Sequence, residues 1–199
     1  MNDLKKRRIK IVLKYTWPFY IISTLLVGLG MYFIFGITHA VPNYQSITLF
    51  VSGEMENTKA LKSDLLAKYQ DNNLRQVTVV SSLPSSAEYQ TKLSVAGYNS
   101  SDILIIPVSK LETLNLSAVA LEISDELINS HYSGYQFYQQ DEIKYGVRID
   151  KEKTSSYFTL TNEDCYMVLN GNSVNTGKYS PKQNEKYDNA LRIVKDWGI

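Results

Sequence analysis

From Tyr15 to Thr38 the chain runs for 24 residues without a charged side chain. At 1.5 Å per residue such a run crosses a hydrocarbon layer of ~30 Å as one helix. Six basic side chains precede it, Lys5, Lys6, Arg7, Arg8, Lys10 and Lys14, against the single acid Asp3. By the positive-inside rule the N-terminus is cytoplasmic and the chain beyond about residue 40 is extracellular. Trp17, Tyr20 and Tyr32 suit interfacial anchoring, and Gly28 and Gly30 within the run signify helix packing at most. The expected organisation is a basic segment over 1–14, a transmembrane helix over 15–38 in a single-pass cell-membrane protein, a spacer over 39–45 and an outer domain over 46–199. A cleaved signal peptide competes, because Thr38-His-Ala40 has the small residues of a cleavage site, but the apolar run is longer than the roughly 7 to 15 residues of a signal core.

Beyond the first fourteen residues the chain holds 15 basic and 19 acidic side chains, so the overall charge of +1 conceals a weakly acidic outer domain. Such a domain has no electrostatic reason to bind nucleic acid. Cys165 is the only cysteine, so the fold must rest on its apolar core rather than on an internal disulfide.

Strand and helix signals then alternate. Ile47 to Ser52 alternates apolar and mixed residues as a first strand, and Gly53-Glu-Met-Glu-Asn57 reads as a turn. Thr58 caps a helix over Lys59 to Tyr69, in which Leu61, Leu65 and Tyr69 form one stripe. Gln76 to Ser81 is a second strand, and Ser85 with Glu88 makes a capping box for a helix reaching Val95. Asp102-Ile-Leu-Ile-Ile-Pro107 is a short β-branched run, the mark of a strand buried on both faces. A short helix over Lys110 to Leu114, a helix start at Ser124 and a strand from Asp141 to Ile149 follow. Gly146 within that last strand marks a close approach of another backbone or a ligand. Asp150 to Ser156 is a polar linker, Cys165 to Ser173 a strand with its loop, and Asn184 to Trp197 a closing helix. This order predicts an α/β domain with a mostly parallel sheet and right-handed crossovers.

Four segments taken in order, Tyr89-Gln-Thr-Lys-Leu93, Ser101-Asp-Ile-Leu104, Ala120-Leu-Glu-Ile-Ser-Asp125 and Asp141-Glu-Ile-Lys-Tyr-Gly-Val-Arg148, resemble the first lobe of the extracellular solute-binding proteins of ABC importers, in the sugar-type, maltose-binding-protein-like branch. Ser101 and Arg148 stand where that family has proline, and Glu142 where it has glycine. The resemblance implies a single periplasmic-binding-protein-like lobe over about residues 46–197, with Cys165 to Ser173 and the closing helix as the return from a second lobe that is mostly absent. The family's lipid tether is replaced by the protein anchor, since no cysteine follows the apolar run.

In parallel sheets ligands sit beyond the carboxyl ends of the strands. That rule selects Ser52, Gly53, Glu54, Met55, Ser81 and Ser109 as ligand-binding candidates. Tyr135, from the aromatic stretch His131 to Tyr138, and Tyr145 join them as rings that could stack on a sugar; packing is the bland reading of that stretch. Only two histidines are present, His39 and His131, which excludes a His-rich metal site, and no cofactor is expected. Cys165 reads as a small buried hydrophobe. Glu54 with Glu56 read as an exposed acidic turn, and Glu163-Asp164 and Asp125-Glu126 as solvated charges.

Three functions compete. The first is a non-enzymatic accessory or binding module that contacts an ABC permease or another extracellular protein. The second is a genuine carrier delivering a sugar or other polar solute to a permease; one lobe alone offers about half the contact of a normal site, so binding would be on the order of millimolar. The third is an extracellular glycosidase, which needs a carboxylate pair that nothing in the pattern positions.

Overall fold

The computed structural model describes residues 3–39, 41–181 and 187–199. It divides into two compact units, residues 1–40 and 41–199. The first is one helix, α1 (Asp3–His39), which runs without a break from the basic cluster through the apolar run. Within it, Lys5–Phe35 is long and apolar enough to cross a membrane, with a mean hydropathy of 1.8 over its most apolar 18 residues. Its large side chains are exposed around the helix, Phe19, Tyr20, Leu25, Leu26 and Tyr32 among them. A helix that is apolar all round requires lipid or protein to cover it. Ala40 of the competing cleavage site lies outside the described residues.

The second unit begins with strands β1 (Ser46–Val51) and β2 (Gly53–Met55) and helix α2 (Thr58–Lys68). Strand β3 (Gln76–Ser81), helix α3 (Tyr89–Lys92), strand β4 (Ile103–Pro107) and helix α4 (Val108–Leu111) follow. Helix α5 (Asp125–Leu127) leads to the hairpin of β5 (Phe137–Gln140) and β6 (Ile143–Arg148). The chain closes with α6 (Lys151–Thr154), β7 (Phe158–Leu160), β8 (Cys165–Leu169) and α7 (Asn189–Trp197).

Six strands form one sheet in the order β3-β1-β4-β8-β6-β5. β3, β1 and β4 pair in parallel, and β8 runs antiparallel between β4 and β6. Four strands therefore point one way, while β8 and β5 are reversed. Both faces are covered, which is why β4 reads as an unbroken apolar run. Ile103 and Ile105 pack with Ile47, Leu49 and Val51 beneath α2 and α7. Leu104 and Ile106 pack with Phe50 and Tyr145 beneath Tyr89 and Leu93. Burying one such aliphatic side chain contributes about 1.5–3 kcal/mol, and this double-sided layer is the main source of stability. Gly146 faces β8, where an added Cβ would meet Tyr166 Cβ at 3.2 Å, so the close approach expected there is to a neighbouring strand.

Several local expectations are corrected. Asn57, not Thr58, caps α2, its side chain accepting from the Ala60 amide at 2.9 Å. Ser85 and Glu88 form no capping box; α3 starts at Tyr89 and passes into wider turns over Leu93–Tyr98. The short helix expected over Lys110 to Leu114 is α4, one turn that begins earlier, at Val108. Ser124 does cap α5, accepting from the Leu127 amide at 3.3 Å. The turn expected over Gly53 to Asn57 is instead strand β2, and the polar linker contains α6 and leads into β7, β2's antiparallel partner. Residues 184–186 of the closing helix lie outside the described residues, and α7 itself starts at Asn189.

Candidate functional site

The carboxyl ends of β1 and β3 open into a shallow groove of about 280 Å³ whose lining includes Gly53, Glu54, Met55, Ser81, Ser82 and Lys92. Four of the eight sequence candidates, Gly53, Glu54, Met55 and Ser81, thus come together. The groove has mixed polarity, and Lys92 is paired with Glu88 at 3.0 Å.

The other four candidates do not line it. Ser52 is completely buried, and its hydroxyl shares a 2.7 Å hydrogen bond with that of Tyr89, which is also buried. Ser109 stands at the start of α4, where its amide and hydroxyl donate to the two oxygens of Glu163 at 3.0 and 2.9 Å. Tyr135 packs against Tyr132, with ring centroids 5.8 Å apart, and donates to the Lys195 carbonyl. Tyr145 is buried in the cluster beneath α3. The aromatic stretch is packing: Tyr132 is fully buried and donates to the Leu191 carbonyl at 3.1 Å.

What closes the end of β1 is the chain's own ribbon. β2 and β7 pair from Gly53–Leu160 to Met55–Phe158. A Cβ on Gly53 would sit 2.5 Å from the Thr159 carbonyl oxygen, so only glycine admits this approach. Glu56 accepts from the Thr159 hydroxyl at 2.9 Å and Tyr157 donates to Asp64 at 2.8 Å, which pins the ribbon to α2. Glu163 and Asp164 are not free loop charges either: Glu163 caps α4, and Asp164 pairs with Arg148 at 2.5 Å. Asp125 and Glu126 are exposed, as expected of solvated charges, and face Lys144 and Lys178 respectively. Cys165 is 1% exposed, and burial pushes its thiol up, away from the reactive thiolate.

The opposite, amino end of the parallel strands holds a feature that the sequence reading did not single out. Asp102, just before β4, accepts from the Thr48 amide at 2.8 Å, the Ser173 hydroxyl at 2.5 Å and the Asn175 side chain at 3.0 Å. Asn175 also donates to the Ser46 carbonyl at 2.9 Å, and Asn170 donates to that of Tyr98 at 2.8 Å. One carboxylate therefore ties β1, β4 and the loop after β8 together. Burial pushes the Asp102 carboxyl up, against the Ser173, Asn175 and Thr48 hydrogen bonds that pull it down. Beside this knot lies a second groove, of about 310 Å³, lined by Ser and Asn side chains. The available signal was an acid opening an apolar strand together with the Asn170-Gly-Asn-Ser173 loop, two segments that only the β4–β8 pairing brings together.

Among the described residues no group of three or more His, Cys, Asp or Glu side chains is arranged to hold a metal ion. The fold defines a mixed α/β domain with helices on both faces of its sheet. Comparisons with protein-family models, curated proteins and solved structures find no match.

Proposed function

We propose that this chain is a membrane-anchored, single-lobe relative of the extracellular solute-binding proteins of ABC importers, and that it acts without catalysis by contacting a permease or another extracellular protein. The observation that carries this reading is β8. It enters the middle of the sheet, antiparallel between β4 and β6, after only the short α6–β7 bridge. A strand inserted there is what remains when a chain leaves a first lobe, loses most of a second and returns. The β2–β7 ribbon closes the end of β1, where an interlobe solute would be held, and this favours protein contact over solute capture. The apolar helix α1 supports a membrane tether, with the basic cluster on the cytoplasmic side and the lobe outside.

The carrier reading has one observation in its favour: the groove bearing Glu54, Ser81 and Lys92 stays open beside the ribbon. A thermal-melt screen of the full chain in detergent, against mono- and oligosaccharides, amino acids and short peptides, separates the two, because a ligand of the native state raises Tm by mass action. The accessory role gives no concentration-dependent rise. A saturable rise with a sugar, lost on Ser81→Trp, would replace it with solute delivery.

A further inference from the structure

We propose that Lys6, Arg7, Lys10 and Lys14 form a one-sided docking stripe for the headgroups of anionic phospholipids. The proposal rests on the reading of α1 as a membrane span. α1 is unbroken over its 37 residues. At 1.5 Å per residue it is about 55 Å long, more than the ~40–45 Å of a whole bilayer with its headgroups. With the charge-free run from Tyr15 in the hydrocarbon, the basic turns pass through one headgroup layer in helical form.

The helical form turns a count of charges into a surface. Positive-inside orientation needs only an excess of Lys and Arg, on no particular face. Here Lys6, Lys10 and Lys14 recur at every fourth residue, about 6 Å apart along the axis, and Arg7 stands within about 100° of Lys6 around it. Lys5 and Arg8 fall on the opposite side, interleaved with Ile9 and Val12. All six basic residues are exposed.

This arrangement is unfavourable without an anion from outside the chain. Like charges four residues apart on a helix repel, and cations near a helix N-terminus oppose the macrodipole, which is positive at that end. Among the described residues none of the six forms an ion pair. Asp3, one turn earlier, is the single acid ahead of Glu54; four cations against it leave the stripe a net charge of +3. The phosphate of an anionic lipid answers each of these features. It lies at the level of Lys14 and Lys10, offers oxygens to ammonium and guanidinium groups, and is held in the surface from which the helix emerges. A zwitterionic lipid also carries a phosphate, but its own ammonium neutralises it.

Fluorescence of Trp17, next to the stripe in sequence, tests this. The full chain is reconstituted in phosphatidylcholine vesicles containing phosphatidylglycerol, with bromine on the acyl chains of one lipid or the other, and quenching reads which lipid lies beside the helix. The other tryptophan, Trp197, is buried in the core of the second unit, out of reach of an acyl chain. At about 0.1 M salt, where the Debye length is ~10 Å, phosphatidylglycerol is expected to quench about threefold more than its share; at about 1 M salt, where that length is ~3 Å, the excess disappears. Lys6→Gln with Arg7→Gln is expected to lower the excess about twofold. Lys5→Gln with Arg8→Gln removes the same charge at the same mean depth from the opposite side and should leave the excess unchanged. Quenching by brominated phosphatidylcholine shows that each variant is inserted. An inserted native chain with no excess overturns the proposal and leaves the stripe to an acidic segment of a cytoplasmic protein. Equal losses in the two paired variants overturn it as well, because diffuse charge then accounts for the preference. Quenching by neither lipid places Trp17 outside the bilayer, and the proposal falls together with the membrane reading.

Discussion

The two ends of the parallel strands are finished in opposite ways. At the carboxyl end the chain covers itself with backbone: β7 lies on β2, and the fit depends on a missing side chain at Gly53. At the amino end it invests in one charged side chain, Asp102, held by three donors from β1 and the loop after β8. The end where open α/β sheets place their ligands is thus partly filled by the protein itself, and the end without that role carries the polar knot. The short bridge between β6 and β8 thus supplies β7, the strand that pairs with β2 beyond the end of β1.

The contrast can be broken at either end. Asp102→Ala has the largest expected effect, a loss of about 3 kcal/mol measured by urea unfolding in detergent, because it strands three buried donors at once. Gly53→Ala at the other end should cost about 2 kcal/mol, since the obstructing atom is a backbone oxygen that cannot swing aside. A melt with normal β1 packing and no loss would mean that β7 does not sit there. Tyr89→Phe sharpens the comparison, removing the partner of the Ser52 hydroxyl, for a loss of about 1 kcal/mol.

The amino end also has a pH signature. Burial holds the folded Asp102 carboxyl above its ordinary value of 3.8. The native state therefore keeps this proton longer than the unfolded chain does. Its contribution is fully present below about pH 4 and is lost as pH rises through the raised value. Unfolding free energy measured from pH 4 upward should fall through that window in the native chain, relative to Asp102→Asn, which lacks the titration. An effect no larger than that of Tyr89→Phe, and of opposite sign, is expected in the β5–β6 hairpin, where Asp141 and Glu142 adopt φ of 51° and 67°. Glu142→Gly should stabilise by about 1 kcal/mol, because glycine enters this region without a Cβ penalty.

The sheet was largely legible. Ser46–Val51 and Gln76–Ser81 show β-branched alternation, and Ile103–Pro107 shows the continuous apolar run of a strand covered on both faces, all of which are local signals. The stripe of Leu61, Leu65 and Tyr69 marked the buried face of α2 in the same way. The ribbon was not legible: three residues are too few to display a period, and Gly53-Glu-Met reads as a turn until Phe158–Leu160 is brought beside it. For the same reason the local pattern marks Ser52 and Tyr145 as site residues although both are core. A hydroxyl or ring near a strand end is exposed only if nothing packs over it, and Tyr89 and the β6–β8 pairing decide that from far away in sequence. The role of Asp102 was not legible because its partners, Ser173 and Asn175, lie some seventy residues on.

Hydrogen exchange of the full chain reads most directly whether β7 covers the end of β1. The paired amides among Gly53–Met55 and Phe158–Leu160 should exchange as slowly as those of β1, and Gly53→Ala should speed them selectively. Exchange of these amides at the rate of an open loop in the native chain would contradict the closed carboxyl end and return that site to solute binding.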